Sequence, residues 1–291
     1  MVRGVIPRQP AKSGRHEGRA AAARLAQSRG ISRQAKDGRP QREKILGGGK
    51  LPHQPKQPKP AKADARYNPA SPERIQEILN RLDQTYPGVT CALQHSNAWE
   101  LLVATILSAQ CTDVRVNMVT PELFRKYPTP QYFAALKPEE LEPDIRSTGF
   151  FRNKSKSIVG AAKKLVEEYR GQVPDEMDKL LSLPGVARKT ANVVLGTWFG
   201  KAEGVVVDTH VQRIARRLEL TKNEEPQKIE QDLMRVIPRE KWILFAHQLI
   251  WHGRKLCLAR QPKCAECPLE SICHAADKTW STVEIHRSAK P

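Results

Sequence analysis

No apolar run in this chain approaches the ~18 residues needed to span a membrane, and no signal-type apolar segment follows its start. A soluble, intracellular protein is expected. Strand-like alternation, paired hairpin strands and a fixed-period repeat are also missing, which excludes sandwich, barrel and solenoid readings. Cysteine is scarce, with six residues, and four of these fall within seventeen positions. That is ligand spacing, not a disulfide framework spread over a secreted domain, and it fits a reducing compartment.

Residues 1–66 contain no Phe, Trp or Tyr but carry 17 Lys/Arg against 4 Asp/Glu, so they hold +13 of the formal +18. Such a Pro-, Gly- and cation-rich stretch cannot bury enough surface to fold, which predicts a disordered basic arm with at most a transient helix near Glu17 to Arg29. Counterion release would give the arm sequence-blind, salt-sensitive attraction to DNA or RNA. A merely solubilising tail and an Arg-rich transit peptide are the alternatives. The remaining chain is close to neutral and long enough for one large or two ordinary domains.

From there the periodicity is helical. Ser71 and Pro72 offer an N-cap and a first-turn proline, with Ile75, Ile78, Leu79 and Leu82 following at helical spacing. Asn97 to Glu100 has capping-box spacing before the apolar run Leu101 to Ala109, which reads as a buried helix at the centre of the core. Shorter helices are expected over Asp113 to Lys126, Gln131 to Leu136 and Glu139 to Ser147, punctuated by Pro121, Pro128, Pro130, Pro138 and Pro143. Thr148 to Arg152 reads as a loop carrying Phe150 and Phe151, suited either to entering stacked bases or to anchoring the loop in the core. A helix with Ile158, Ala161, Ala162, Leu165 and Tyr169 on one face comes next, then one over Asp175 to Leu183. Val211 to Leu220, Pro226 to Val236 and Glu240 to His252 complete an all-α fold of about ten helices.

The stretch Leu183 to Gly196, LPGVARKTANVVLG, sets a Pro184-Gly185 turn directly before a helix. The backbone N–H groups from Val186 through Arg188 would then stand unpaired at a helix N-terminus, a site for a phosphate oxygen without base readout. Lys189 falls in the first turn, where the helix dipole disfavours an ammonium, and a neutral lysine amine is a nucleophile. Nineteen residues on, VVVDTHVQR places Asp208 at the start of another helix, as an N-cap or as the partner of that lysine.

Cys257, Cys264, Cys267 and Cys273 are separated by six, two and five residues. Four thiolates this close can encircle one metal centre, and spacing alone leaves zinc and an iron-sulfur cluster both open. Arg260 and Lys263 lie in the first interval, with Arg254 and Lys255 just before it, cations that a metal-held loop would present to phosphates.

LPGVARKTA, VDTH and the four late cysteines together resemble the endonuclease III family of helix-hairpin-helix DNA glycosylases and AP lyases, over about Asn68 to Lys278. The resemblance implies a six-helix block over 91–203 that contains the hairpin. It implies a second, iron-sulfur lobe built from 68–90 plus 204–278, a tail over 279–291, and DNA lying across the cleft between lobes. It makes Lys189 the nucleophile that attacks the sugar of a damaged nucleotide and Asp208 its assistant. Cys257, Cys264, Cys267 and Cys273 become the ligands of a 4Fe-4S cluster with a structural and DNA-positioning role, a redox role staying open. Gln110 would enter the space left by the flipped nucleotide, Phe150 stands where a leucine often wedges the duplex, and Gly185, Val186, Ala187 and Arg188 would meet a phosphate alongside Arg260 and Lys263. Ala187 stands where a second glycine is common, which is tolerable if its φ is negative.

The implied function is a bifunctional base-excision-repair glycosylase and lyase that removes oxidised pyrimidines and cleaves the strand by β-elimination through a lysine Schiff base. The implied partner is double-stranded DNA with a damaged base or abasic site, met by a monomer in the cytoplasm, nucleoid-associated, or in mitochondria or nucleus only in a eukaryote. A mismatch or adenine glycosylase of the same fold is the alternative; Lys189 and the lack of a further folded domain after Lys278 speak against it. A non-catalytic iron-sulfur DNA-binding or redox module would need neither Lys189 nor Asp208.

Overall fold

The structure, a computed structural model, describes residues 67–279. The expected basic arm over 1–66 and residues 280–291 of the tail lie outside the described residues. Among the described residues there are eleven α-helices and four short 3-10 turns, with no strand. None of these helices is long and apolar enough to cross a membrane.

Helix α1 (Pro72–Thr85) begins where its cap chemistry directs: the Ser71 side chain accepts from the Arg74 N–H, and Ile75, Ile78, Leu79 and Leu82 are buried. Helix α2 (Ala98–Leu107) starts at Asn97, whose side chain accepts from Glu100 N at 2.9 Å, while the Glu100 carboxylate receives the Ser96 N–H at 2.7 Å. The reciprocal bond thus lands one residue earlier than a standard capping box requires. Every residue from Leu101 to Leu107 is buried, and α2 packs against α3 (Asp113–Lys126), α6 (Phe151–Tyr169) and α8 (Arg188–Thr197). Burial of each Leu, Ile or Val of α2 contributes about 1.5–3 kcal/mol, enough to hold a ten-residue helix that would be marginal alone.

Two of the prolines fall inside the helices expected around them. Pro121 lies inside α3 and Pro143 inside α5 (Pro138–Ile145), each on an exposed face, where water can satisfy the carbonyl that loses its N–H partner. Helix α4 (Pro130–Ala135) and α5 pack on α6, and a 3-10 turn over Arg146–Thr148 joins α5 to the loop before α6. The helix expected over Asp175 to Leu183 is only α7 (Met177–Leu181), because Leu183 precedes Pro184 and a residue before proline is driven out of the helical region.

The chain continues through α9 (Thr209–Arg217), α10 (Pro226–Val236) and α11 (Trp242–Lys255). Buried side chains form two hydrophobic clusters. One gathers residues between Leu93 and Leu195 around α2. The other joins α1 and Tyr86 to side chains between Val205 and Leu269, with α11 against α1 and α9. A polar tie connects them: the buried Glu230 of α10 accepts from Arg188 Nε at 2.9 Å and from Asn192 Nδ2 at 2.8 Å, both on α8. Gly204 passes this carboxylate so closely that any Cβ there would overlap Glu230 Oε1.

Candidate active site

The hairpin between α7 and α8 is anchored by the buried side chains of Leu183 and Val186, with Val186 N–H donating to the Leu183 carbonyl at 3.1 Å. Gly185 sits at φ +77° between them, a left-handed position that favours glycine, and a Cβ there would overlap Ser157. Ala187 has φ −92° and is the N-cap of α8, so alanine fits where a second glycine is common. Val186 departs from its expected role, since its N–H is spent inside the turn and its side chain is buried. The free donors move one residue on, to the N–H groups of Ala187 through Thr190, which no side chain caps. Arg188 contributes its backbone there, while its guanidinium is turned to Glu230, whose hydrogen bond raises its pKa further.

Lys189 stands exposed on the first turn of α8. Asp208 is the N-cap of α9, its Oδ1 receiving the N–H groups of His210 and Val211 at 2.8 Å each. Its Oδ2 makes no hydrogen bond among the described residues. Both side chains line one cleft of about 290 Å³, at the lower edge of the roughly 300–1,000 Å³ usual for small-molecule sites. The walls come from both clusters: Gln110, Asp113 and Lys189 on one side, Asp208, His247 and Arg254 on the other. A second opening, which shares Lys189 and Asp208, extends to Val114 and His210. Burial holds His210 below the ordinary imidazole range, so it stays neutral at pH 7.

Arg254 is not part of the cationic loop beside the cysteines. Its Nη2 donates to Asp113 Oδ2 at 2.6 Å, a bond that joins the two walls of the cleft. His247 was not singled out from the sequence. The signal was present in α11, because His247, Ile250, Trp251 and Arg254 recur at helical spacing and all line the cleft, a mixed polar and apolar face unlike a core stripe.

An adjoining opening is lined by Gln110, Phe150, Gly185 and Thr190, and Gln110 and Thr190 belong to the cleft as well. The two aromatics that the sequence left undecided divide the roles. Phe150, at φ 49°, is 61% exposed, whereas Phe151 packs on the first cluster with Arg146 and Arg152 over its ring at 5.9 and 5.8 Å.

The four late cysteines line a single cavity with Ile214, Leu218, Leu256 and Leu269. Among the described residues no three His, Cys, Asp or Glu side chains are placed to hold one metal ion directly. Burial pushes the Cys267 thiol up to about 12 and raises Cys273 too, so thiolates here need a positive centre to form. A donor already faces one of the sulfurs, with Arg217 Nη1 donating to Cys257 Sγ at 3.2 Å. Lys263 lines the cavity, and both it and Arg260 are exposed.

Residues 103–239 match the profile of the HhH-GPD superfamily of base excision DNA repair proteins. The chain is 55% identical over 204 residues to endonuclease III of Synechocystis sp., covering 70% of this chain and 93% of that one. Endonuclease III of Bacillus subtilis is 45% identical over 207 residues, covering 71% and 94%, and that of Escherichia coli K12 is 39% identical over 202 residues, covering 69% and 95%. Among solved structures, a trapped endonuclease III–DNA covalent intermediate in an estranged-adenine complex superposes with TM-score 0.67 at 43% identity, covering 70% of this chain and 96% of that one. A non-covalent endonuclease III–DNA complex gives TM-score 0.67 at 44% identity, covering 70% and 95%.

Proposed function

The chain belongs to the endonuclease III family and is a base-excision DNA glycosylase and AP lyase, and from that premise we propose that it removes oxidised pyrimidines through Lys189. The observation that carries the assignment is that Lys189 and Asp208, from segments packed into different clusters, line one cleft beside an uncapped helix N-terminus. A duplex phosphate would rest on the N–H groups of that terminus while the damaged nucleotide turns into the cleft.

In the proposed reaction the lone pair of the Lys189 amine forms a bond to the sugar C1′. The glycosidic bond breaks with its electron pair leaving on the base, which takes up a proton. Opening of the sugar ring gives the Schiff base. Loss of a C2′ proton then expels the 3′ phosphate and cuts the strand. Asp208, with Oδ1 fixed by the helix cap, offers its other oxygen to stabilise positive charge on the sugar or to relay a proton from the amine.

We also propose that Cys257, Cys264, Cys267 and Cys273 hold a 4Fe-4S cluster. When bound, it supplies a cross-link for the C-terminal loop and a charged centre that fixes Arg260 and Lys263 toward DNA phosphates.

A panel of duplexes, each with one lesion and scored separately for base release and strand cleavage, tests the assignment. Oxidised pyrimidines should give both events together. Base release without cleavage would indicate a mismatch or adenine glycosylase, and binding with neither would indicate a non-catalytic module.

A further inference from the structure

Lys154 is 4% exposed, an unusual place for a lysine. It sits in the first turn of α6, and its Nζ donates to the carbonyls of Leu107 and Thr148, both at 2.8 Å. Burial lowers its pKa, yet two hydrogen bonds to carbonyls at helix ends meet an ammonium where orphan acceptors and the negative end of the helix dipole collect. A leucine in its place would leave both carbonyls without this donor.

The two acceptors share a further property. Leu107 ends α2 three residues before Gln110, and Thr148 ends the 3-10 turn two residues before Phe150. Gln110 and Phe150 both hold left-handed backbones, at φ 53° and 49°, which non-glycine residues adopt only when their surroundings enforce it. Both are exposed, and they line the same opening. Forty residues separate these loops in sequence, and one ammonium ties them together.

We infer that Lys154 is a positioning residue that couples the Gln110 loop to the Phe150 loop, so that the two side chains enter a base-paired duplex as one rigid unit. The inference rests on the proposed DNA reading of the cleft. Lys154 touches no reacting atom in it. Its contribution belongs to opening the duplex, so a substrate that is already unstacked would not need it.

The test uses the full chain and compares two substrates: an oxidised pyrimidine in a fully paired duplex, and an abasic site in a single strand. Lys154→Met keeps most of the aliphatic stem and removes the donors. It should reduce base release from the duplex by roughly 10- to 100-fold, while single-strand cleavage stays within about 3-fold. Equal losses on both substrates would overturn the coupling role and leave a merely structural one.

A second measurement stands even if Lys154→Met folds poorly. Gln110→Ala and Phe150→Ala alter exposed side chains, and their combined effect on duplex processing should depart from the product of the single effects by roughly 5-fold or more, as coupled neighbours do. Multiplicative losses would mean that the loops act independently, which contradicts the inference. Wild-type protein inactive on every substrate would instead refute the underlying glycosylase and lyase reading.

Discussion

Gly185 and Ser157 stand so close that a Cβ on the glycine would overlap the serine Cβ, although α6 and the hairpin are far apart in sequence. The contact sets the height of the turn over α6 and so the direction in which α8 leaves it. Gly185→Ala meets both this overlap and a left-handed backbone at φ +77°. The strain of a left-handed residue is about 1–2 kcal/mol and overpacking adds roughly 1–3 kcal/mol, so a loss of about 2–5 kcal/mol is expected in urea unfolding. Affinity for damaged duplex should fall with it. A loss below about 0.5 kcal/mol would show that the turn adapts freely.

Asp232 gives a prediction about pH. Its Oδ2 accepts from Thr221 Oγ1 at 2.6 Å and from Asn223 Nδ2 at 2.7 Å, and the Thr221 bond foremost lowers the carboxyl below its ordinary 3.8. A depressed folded-state value means that the contribution is complete above the unfolded pKa and disappears as pH falls through the folded one. Wild type should therefore exceed Asp232→Asn in stability by a constant margin between about pH 5 and 8, and the margin should close below about pH 4. A margin that widens on acidification would contradict the sign.

The cysteine cavity makes the third. Wild-type protein purified aerobically should be yellow-brown with a broad absorbance near ~400 nm, and Cys264→Ser should be colourless and poorly folded, because ligand loss removes a cross-link from the second cluster. Colourless wild type with one zinc per chain would replace the cluster by a single ion.

Much of the fold was legible because the helices carry their own start signals. Asp113–Lys126 and Pro226–Val236 fall where the periodicity and prolines put them, and the four positions expected on the inner face of α1 are buried. Pro121 sits inside the expected helix because an exposed proline in a helix held by Val116, Thr120 and Leu123 leaves an acceptor that water can reach. Val186 misled, since a tight turn spends one of its own N–H groups before the helix starts.

The candidate site was legible where a position depends on its immediate neighbours, as for Lys189 in the first turn of α8 and Asp208 at the cap of α9. It was not legible where the chemistry depends on which elements meet. The Arg254–Asp113 bond joins residues 141 apart, and the buried ammonium of Lys154 is indistinguishable in sequence from the exposed lysines at 156 and 163. Phe150 and Phe151 differ only by the left-handed turn that exposes the first.

Asp208→Asn should leave the cap of α9 almost unchanged, because the amide oxygen can still accept from His210 and Val211. The charge is gone. Base release should slow by about 10²- to 10⁴-fold with little change in thermal stability. Unaltered base release would show that the carboxylate serves only as a cap.

Lys189 decides the central claim, that its amine is the nucleophile. Borohydride reduces a Schiff base to a stable enzyme–DNA adduct, which a denaturing gel reads directly. Wild-type protein with an oxidised-pyrimidine duplex should give the adduct, and Lys189→Gln should give none while still binding the damaged duplex through the N–H groups at the start of α8. A Lys189→Gln protein that forms the adduct at the wild-type rate would place the nucleophile on another amine.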